Sequence, residues 1–375
     1  MHGMVPTVHG MSMRRAAVAA AGLVLSLSGC SAATHESGSR DVRSDGPLSG
    51  VVEDDFGPSR EPWRVVLSAP RAKGMWSAEF TTDYVAVWDD REDVGQRQKV
   101  TAFDQAQETV LDWTSRGGDW ILQDVWLTRH FLVVEEINNT AKRIELRAWD
   151  LTIGNEIKIP LQPSQPEVAA GFGRVAFMTG RATTGICQQS LDLATAELAT
   201  PHCAKPGAVL GDLAIGPKES TYSEVVAPGT DRRCKSLVVV GSDPSREVPI
   251  AQRCLGWSSA VADGLVAWDE TDPATETFPT SRGYVLADDR RSALGPMVTD
   301  TLVGCGSSFY WIEVDGLGHR IERWTRSTGV QTVWGPQEER LPSGLQCADG
   351  RWLSMRVDDI DGREESLTFA VLDSA

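Results

Sequence analysis

Apolar residues return along this chain in short runs, and the runs return in pairs. About every 45 residues a stretch of alternating apolar and polar positions, often bearing Trp, is followed by a second such stretch. The leading members begin at Asp83 (DYVAVW), Arg129 (RHFLVVEE), Gly173 (GRVAFM), Thr221 (TYSEVVAP), Gly264 (GLVAWDE), Ser308 (SFYWIEVD) and Gly350 (GRWLSMRVDD). Period-two alternation, β-branched and aromatic enrichment, and Gly, Pro or Asp at the ends predict strands. The following members begin at Lys99, Arg143, Cys187, Cys234, Gly283, Arg320 and Glu365. Outer strands are predicted at ETVLDW, NEIKIPL, AELATP, REVPIA and VQTVWG, with SALGPM weak and none in the last repeat. Small-residue runs ahead of the leading members, such as EVAAGF, SSAVADG, LVGCGS and QCADG, suit inner strands crowded toward an axis.

Seven such units predict an all-β fold, a seven-bladed β-propeller of four-stranded blades. RVVLSA, from Arg64 to Ala69, has no strand partner near it in sequence. Placed as the missing outer strand of the last repeat, it closes the ring and hides two strand edges.

Ahead of the repeats, Arg14 and Arg15 precede an apolar stretch from Ala16 to Leu27 that is too short to span a bilayer. Leu27-Ser28-Gly29-Cys30 resembles the lipobox of bacterial lipoproteins, which implies acylation at Cys30. Residues 31–60 are rich in Ser, Gly, Pro and charge, and read as a disordered tether. The chain therefore divides into a signal peptide over 1–30, a flexible linker over 31–60 and a propeller over 61–375. A lipid and a leash place the body on the outer, extracytoplasmic face of a cell membrane.

Charge narrows the partners. The chain carries 36 Lys and Arg against 52 Asp and Glu, a formal net charge of -16. Without Arg14 and Arg15 of the leader the balance is 34 to 52, about -18. Nucleic acid is excluded as a partner, because phosphate binding needs clustered cations. The membrane, through the lipid, and a protein or cell-envelope component remain.

Seven cysteines less Cys30 leave six, an even number in an exported chain, which predicts disulfides. Cys187 and Cys234 open equivalent strands, and Cys203 and Cys254 sit just past the outer strands of the same two repeats. That register pairs Cys187 with Cys203 and Cys234 with Cys254. Cys305 and Cys347 share a register on the inner strands of repeats six and seven, which predicts a bridge between blades. A metal role is disfavoured: there is no Cys-x-x-Cys and no His at ligand spacing.

The hairpins WDLTIGNEI, LDLATAELA and WTRSTGVQTV resemble the D-x-x-T-G-x turns of TolB-like and quinoprotein-like bacterial propellers. With the lipobox, the chain resembles an actinobacterial-type propeller lipoprotein. Quinoprotein chemistry implies a cofactor cage and usually calcium, and no residues here mark one. Trp88-Asp89, Trp149-Asp150 and Trp268-Asp269 are similar to WD dipeptides but fall on different strands, with no Gly-His before them.

Catalytic motifs fail their context. Gly171-x-Gly173-x-x-Ala176 matches a dinucleotide fingerprint as text, yet it joins two predicted strands with no helix to receive a pyrophosphate. No G-x-S-x-G elbow occurs, and His130, His202 and His319 lie in different repeats. Acidic residues cluster instead at the second-to-third hairpins: Asp89 and Asp90 with Glu92 and Asp93, Glu135 and Glu136, Asp269, Glu270 and Asp272, Glu313 and Asp315, and Asp358, Asp359 and Asp361. Equivalent hairpins of a propeller share one face, so these predict an acidic arc for a cationic ligand, a calcium ion or a partner protein. Asp and Gly also simply favour hairpin turns. Repeats three and four carry Arg181, Arg232 and Arg233 there instead.

The expected function is a membrane-anchored scaffold that binds a protein or ligand, with no resident cofactor. The alternative is an extracytoplasmic propeller enzyme, a hydrolase, lyase or quinoprotein-like protein, with its site at the channel mouth.

Overall fold

The computed structural model describes residues 64–70, 76–89, 97–106, 108–181, 185–204, 207–226, 234–241, 246–248, 256–271, 280–288, 290–315, 318–335, 340–359 and 366–373, and every regular element among them is a β-strand. Cys30, the tether and Cys254 lie outside the described residues.

The strand β1 (Arg64–Pro70) comes first. Sheet one holds β2 (Trp76–Phe80), β3 (Tyr84–Asp89), β4 (Lys99–Asp104) and β5 (Thr109–Thr114). Sheet two holds β6 (Trp120–Thr128), β7 (Phe131–Asn138), β8 (Arg143–Asp150) and β9 (Asn155–Ile157). Sheet three holds β10 (Val168–Gly171), β11 (Arg174–Arg181), β12 (Gly185–Asp192) and two short strands that both pair with β12, β13 (Glu197–Leu198) and β14 (His202–Cys203). Sheet four holds β15 (Val209–Ile215), β16 (Ser220–Val226), β17 (Cys234–Val240) and β18 (Arg246–Glu247). Sheet five holds β19 (Gly256–Ala262), β20 (Leu265–Thr271), β21 (Thr280–Ala287) and β22 (Arg290–Val298), the last being the segment whose pattern is weakest in sequence. Sheet six holds β23 (Val303–Cys305), β24 (Ser308–Asp315), β25 (Gly318–Thr325) and β26 (Gly329–Trp334). Sheet seven holds β27 (Arg340–Ala348), β28 (Trp352–Asp359) and β29 (Ser366–Asp373), and its fourth strand is β1, antiparallel to β29 with Arg64 opposite Val371 and Pro70 opposite Ser366.

The second strands explain how the sheets stack. In β7 Leu132 and Val134 turn toward sheet one, joining Trp88, Val100 and Trp113, while Phe131 and Val133 turn toward sheet three, joining Val175 and Phe177. A strand buried on both faces reads as a continuous apolar run, here FLVV, where a half-buried strand would alternate. Six apolar clusters follow this rule, each shared by two consecutive sheets from one to seven. The inner strands touch in the same order: β2 with β6, then β10, β15, β19, β23 and β27. Between sheets seven and one, β27 and β28 touch β2, and Trp352 Nε1 donates to Thr82 Oγ1 at 2.8 Å.

Small inner residues permit this crowding. A Cβ on Gly304 of β23 would lie 2.2 Å from the Val261 carbonyl oxygen of β19, so this position admits only glycine.

Two disulfides are described. Cys187 and Cys203 face each other across β12 and β14 and are bonded. Cys305 and Cys347 join β23 to β27, and so sheet six to sheet seven. Their sequence separations are 16 and 42 residues. Chain-entropy arguments give about 3 kcal/mol for the first and about 4 for the second. Denaturant melts of the Cys187→Ser/Cys203→Ser and Cys305→Ser/Cys347→Ser double variants should therefore rank the second as the less stable, by about 1 kcal/mol.

Candidate functional site at the ends of the inner strands

The turns from first to second strands meet at one end of the inner strands. Asp349, in the turn after β27, has a carboxylate that reaches two sheets which do not adjoin its own. Its Oδ1 accepts from Thr128 Oγ1 at 2.8 Å and from the Phe172 amide at 3.1 Å, and its Oδ2 accepts from the Arg129 amide. Thr128 Oγ1 in turn accepts from the Gly173 amide at 2.8 Å. Asp349 sits at φ 52° and Gly350 at φ 71°, the left-handed pair of a tight hairpin, and Phe172 and Gly173 repeat it at 57° and 72°. A Cβ on Gly350 would come within 2.8 Å of the Phe172 ring and 3.6 Å of the Gly306 amide. Turns of sheets two, three, six and seven thus converge on one carboxylate and one glycine. The Gly171-x-Gly173 turn serves this convergence and joins strand to strand, as its sequence context predicts.

Further along the inner strands, bulges interrupt the ladders with the second strands. Register shifts occur at Leu122/Asp124, Gly211/Ala214, Gly256/Ser259 and Ser343/Gln346. Each bulge frees backbone groups that need partners. Buried Gln98 of sheet one accepts from the Leu122 amide at 2.9 Å, and Asp124 accepts from the Val125 amide. Asp269, fully buried, accepts from the Ser258 amide at 2.6 Å and from the hydroxyls of Ser258 and Ser281. Asp212 accepts from Ser223 Oγ at 2.8 Å.

These placements correct part of the acidic arc. Glu135 and Glu136 lie within β7 at 2% and 0% exposure, and Asp269 and Glu270 lie within β20 at 0% and 7%. They are interior groups, because both strands run past their apolar stretch into the seams between sheets. Glu136 accepts from the Arg116 amide and guanidinium, and Glu270 accepts from Trp268 Nε1 and pairs with Arg291. Glu313 pairs with Arg320 at 2.7 Å. Asp90, Glu92, Asp93, Asp272 and Asp361 lie outside the described residues, as do the side chains of Asp89, Asp315, Asp358 and Asp359. The three histidines stay apart: His130 lies 3.9 Å from Asp150, His202 stacks on Tyr222, and burial lowers the pKa of His319.

Glu135 and Glu224 are buried carboxylates that each have an oxygen with no hydrogen-bond partner. Glu135 is paired across the ladder with Asp124, so both face sheet three, and its Oε1 has no hydrogen-bond partner. Burial first, then Asp124 and Glu167, raise its pKa well above the usual range. Glu167 precedes β10, and its Oε1 lies 3.8 Å from where a Cβ on Gly211 would stand. Sheets two, three and four thereby bring Asp124, Glu135, Glu167 and Asp212 toward one end of the inner strands. None of Asp124, Glu167, Asp212 or Asp349 stands out in the repeat pattern. The available signal was QD interrupting the apolar run WILQDVWL.

These features define a β-propeller. No family model and no curated protein matches the chain. Among solved structures it is similar to the β-propeller domain of the Trilobed protease from Pyrococcus furiosus, with a TM-score of 0.57 and 8% identity over 80% of this chain and 94% of that one. It is also similar to acylaminoacyl peptidase from Pyrococcus horikoshii, with a TM-score of 0.53 and 8% identity over 79% of this chain and 51% of that one. The chain thus spans about half the length of that peptidase. At these identities the likeness is one of fold.

Two predictions follow from the carboxylates. Asp349→Ala removes three accepted hydrogen bonds and places Ala at positive φ, so thermal or denaturant melts should show a loss of about 3 kcal/mol. Burial holds the Asp269 pKa at about 6, above its ordinary 3.8, against the hydrogen bonds that lower it. Below about pH 4 the group is protonated in folded and unfolded chains alike and the fold bears no cost. As pH rises, the unfolded chain ionises first, and stability falls until about pH 6, by up to ~3 kcal/mol. Asp269→Asn should flatten that part of the pH profile, and parallel slopes in variant and wild type would refute it.

Proposed function

We propose that the seven sheets are the seven blades of a closed ring, with β1 as the outer strand of the last blade, and that this ring is a lipid-anchored, extracytoplasmic binding scaffold. The unbroken order of inner-strand contacts, returning from β27 to β2, supports the ring. The lipobox at Cys30 and the Ser-, Gly- and charge-rich segment after it support the anchor and leash.

The observation that carries the binding function is the polarity of the inner strands' two ends. At one end four turns converge on Asp349 and Gly350. Toward the other stand carboxylates of three successive sheets, with Glu135 short of a partner. A rigid ring with an acidic mouth suits a cationic partner held at the membrane surface. The remaining acids of the expected arc, Asp89, Asp90, Asp315, Asp358, Asp359 and Asp361, widen that acidic face in this scheme, for a partner protein, a cell-envelope component or calcium.

Fractionation of cells making the Cys30→Ala chain should move the protein from the membrane to the soluble extracytoplasmic fraction. Retention in the membrane would refute the lipid anchor. Capture from native membranes by the Asp358→Asn/Asp359→Asn/Asp361→Asn variant should recover less partner than the wild type, and equal recovery would remove those three residues from the binding face.

A further inference from the structure

We propose that the Cys187–Cys203 disulfide is a redox clip: a dithiol reductant opens it while the Cys305–Cys347 bridge stays closed, and its opening releases β14 from the outer edge of sheet three. The inference goes beyond the binding function above and does not rest on it.

The two bonds sit in contrasting places. Cys305 is 1% exposed within the apolar cluster shared by sheets six and seven, and Cys347 packs against that cluster. A reductant reaches this bond only after two stacked sheets part. Cys203 is exposed and Cys187 half-buried, on β14 and β12 at the outer edge of sheet three. Thiol–disulfide exchange needs an attacking thiolate in contact with one of the two sulfurs, so access decides which bond is attacked, and exposed disulfides are the readily reduced ones.

The bond holds a short piece of structure. β14 is two residues long and pairs Cys203 with Cys187 and His202 with Gln188. The Ala204 amide adds one hydrogen bond, to the Ile186 carbonyl at 3.0 Å. So few backbone bonds do not offset the entropy of ordering the segment that carries them, and the disulfide supplies the remaining hold. Before this segment β13 keeps its own pairs with β12, Leu198 with Leu191 and Glu197 with Asp192, and the Ala199 amide donates to the Ser190 carbonyl at 2.8 Å. After it, β15 begins at Val209, paired with Val225 of sheet four. Release is therefore bounded on both sides. It leaves the outer edge of β12 from Ile186 to Gln188 without its strand, lifts the His202 ring from Tyr222, 5.9 Å away between centroids, and removes Ala204 from the cluster that buries Tyr222 at 1% exposure.

The exchange balances with a dithiol as reductant. Its thiolate attacks Cys203 Sγ, the exposed sulfur; the S–S bond breaks, and Cys187 Sγ leaves as a thiolate and takes a proton. The second thiol of the reductant, giving up its own proton, then attacks the mixed disulfide and frees Cys203, which is protonated in turn. Two electrons pass from the dithiol, which ends as a disulfide, to the protein, which ends with two thiols. An oxidising compartment reverses the step and closes the clip.

The test treats the folded, oxidised full-length chain with dithiothreitol in the absence of denaturant, traps free thiols by alkylation at successive times, and assigns them by peptide mapping. Cys187 and Cys203 should become alkylated at least tenfold faster than Cys305 and Cys347. Hydrogen exchange followed by mass spectrometry, on the chain held in the same reductant, should show faster exchange in peptides covering 185–188 and 202–204 and none in those covering β6–β8 or β23–β25. The Cys187→Ser/Cys203→Ser chain should show the same local exchange without reductant. Equal rates for the two disulfides, reduction of Cys187 and Cys203 only together with exchange across all the sheets, or reduction that leaves exchange at 185–188 and 202–204 unchanged would each overturn the proposal.

Discussion

A sheet with apolar side chains on both faces cannot stop at one neighbour. In β7, β11, β20 and β24 successive residues alternate between two different apolar clusters, so each of these sheets must be covered twice. Stacking in sequence order covers sheets two to six on both sides, and β27 and β28 of sheet seven touch β2 of sheet one. The small residues of the inner strands let the sheets fan about an axis, and the larger Trp, Tyr and Phe of the second strands fill the widening wedges between them. Curvature here is a consequence of side-chain volume ordered along each repeat.

Crowding at the axis has its own cost, and the polar groups show how it is met. Inner strands bulge where their ladders cannot follow the curve, and each bulge strands an amide. Asp269, Gln98 and Asp124 take up those amides from the side-chain direction. At the turn end the same need is met by Asp349 for two sheets at once. Polar residues in this core are therefore mostly substitutes for missing ladder bonds.

Local pattern carried a large share of this architecture. Strand positions were legible because period-two alternation reports a pleated backbone wherever it occurs, and the Cys187–Cys203 and Cys305–Cys347 bonds were legible because equivalent positions in a repeat occupy equivalent places. Legibility failed where a residue's environment is set by a distant segment. Glu135 and Glu136 follow an apolar run, and a run ending in charge reads as a strand leaving the core. The neighbouring sheet instead covers them. Asp349 fared no better: an Asp-Gly turn is common, and no local signal says that its carboxylate meets residues 220 and 221 positions earlier.

That separation bears on the order in which the molecule can assemble. Hairpins within sheets one to six join segments close in sequence and can form as soon as their strands exist, whereas the pairing of β1 with β29 and the bonds to Asp349 span most of the chain. Emerging amino end first, the chain carries β1 with an unsatisfied edge until its last strand is made. High contact order is thus concentrated in one late event, and the interval before it is when this protein is most open to aggregation or proteolysis.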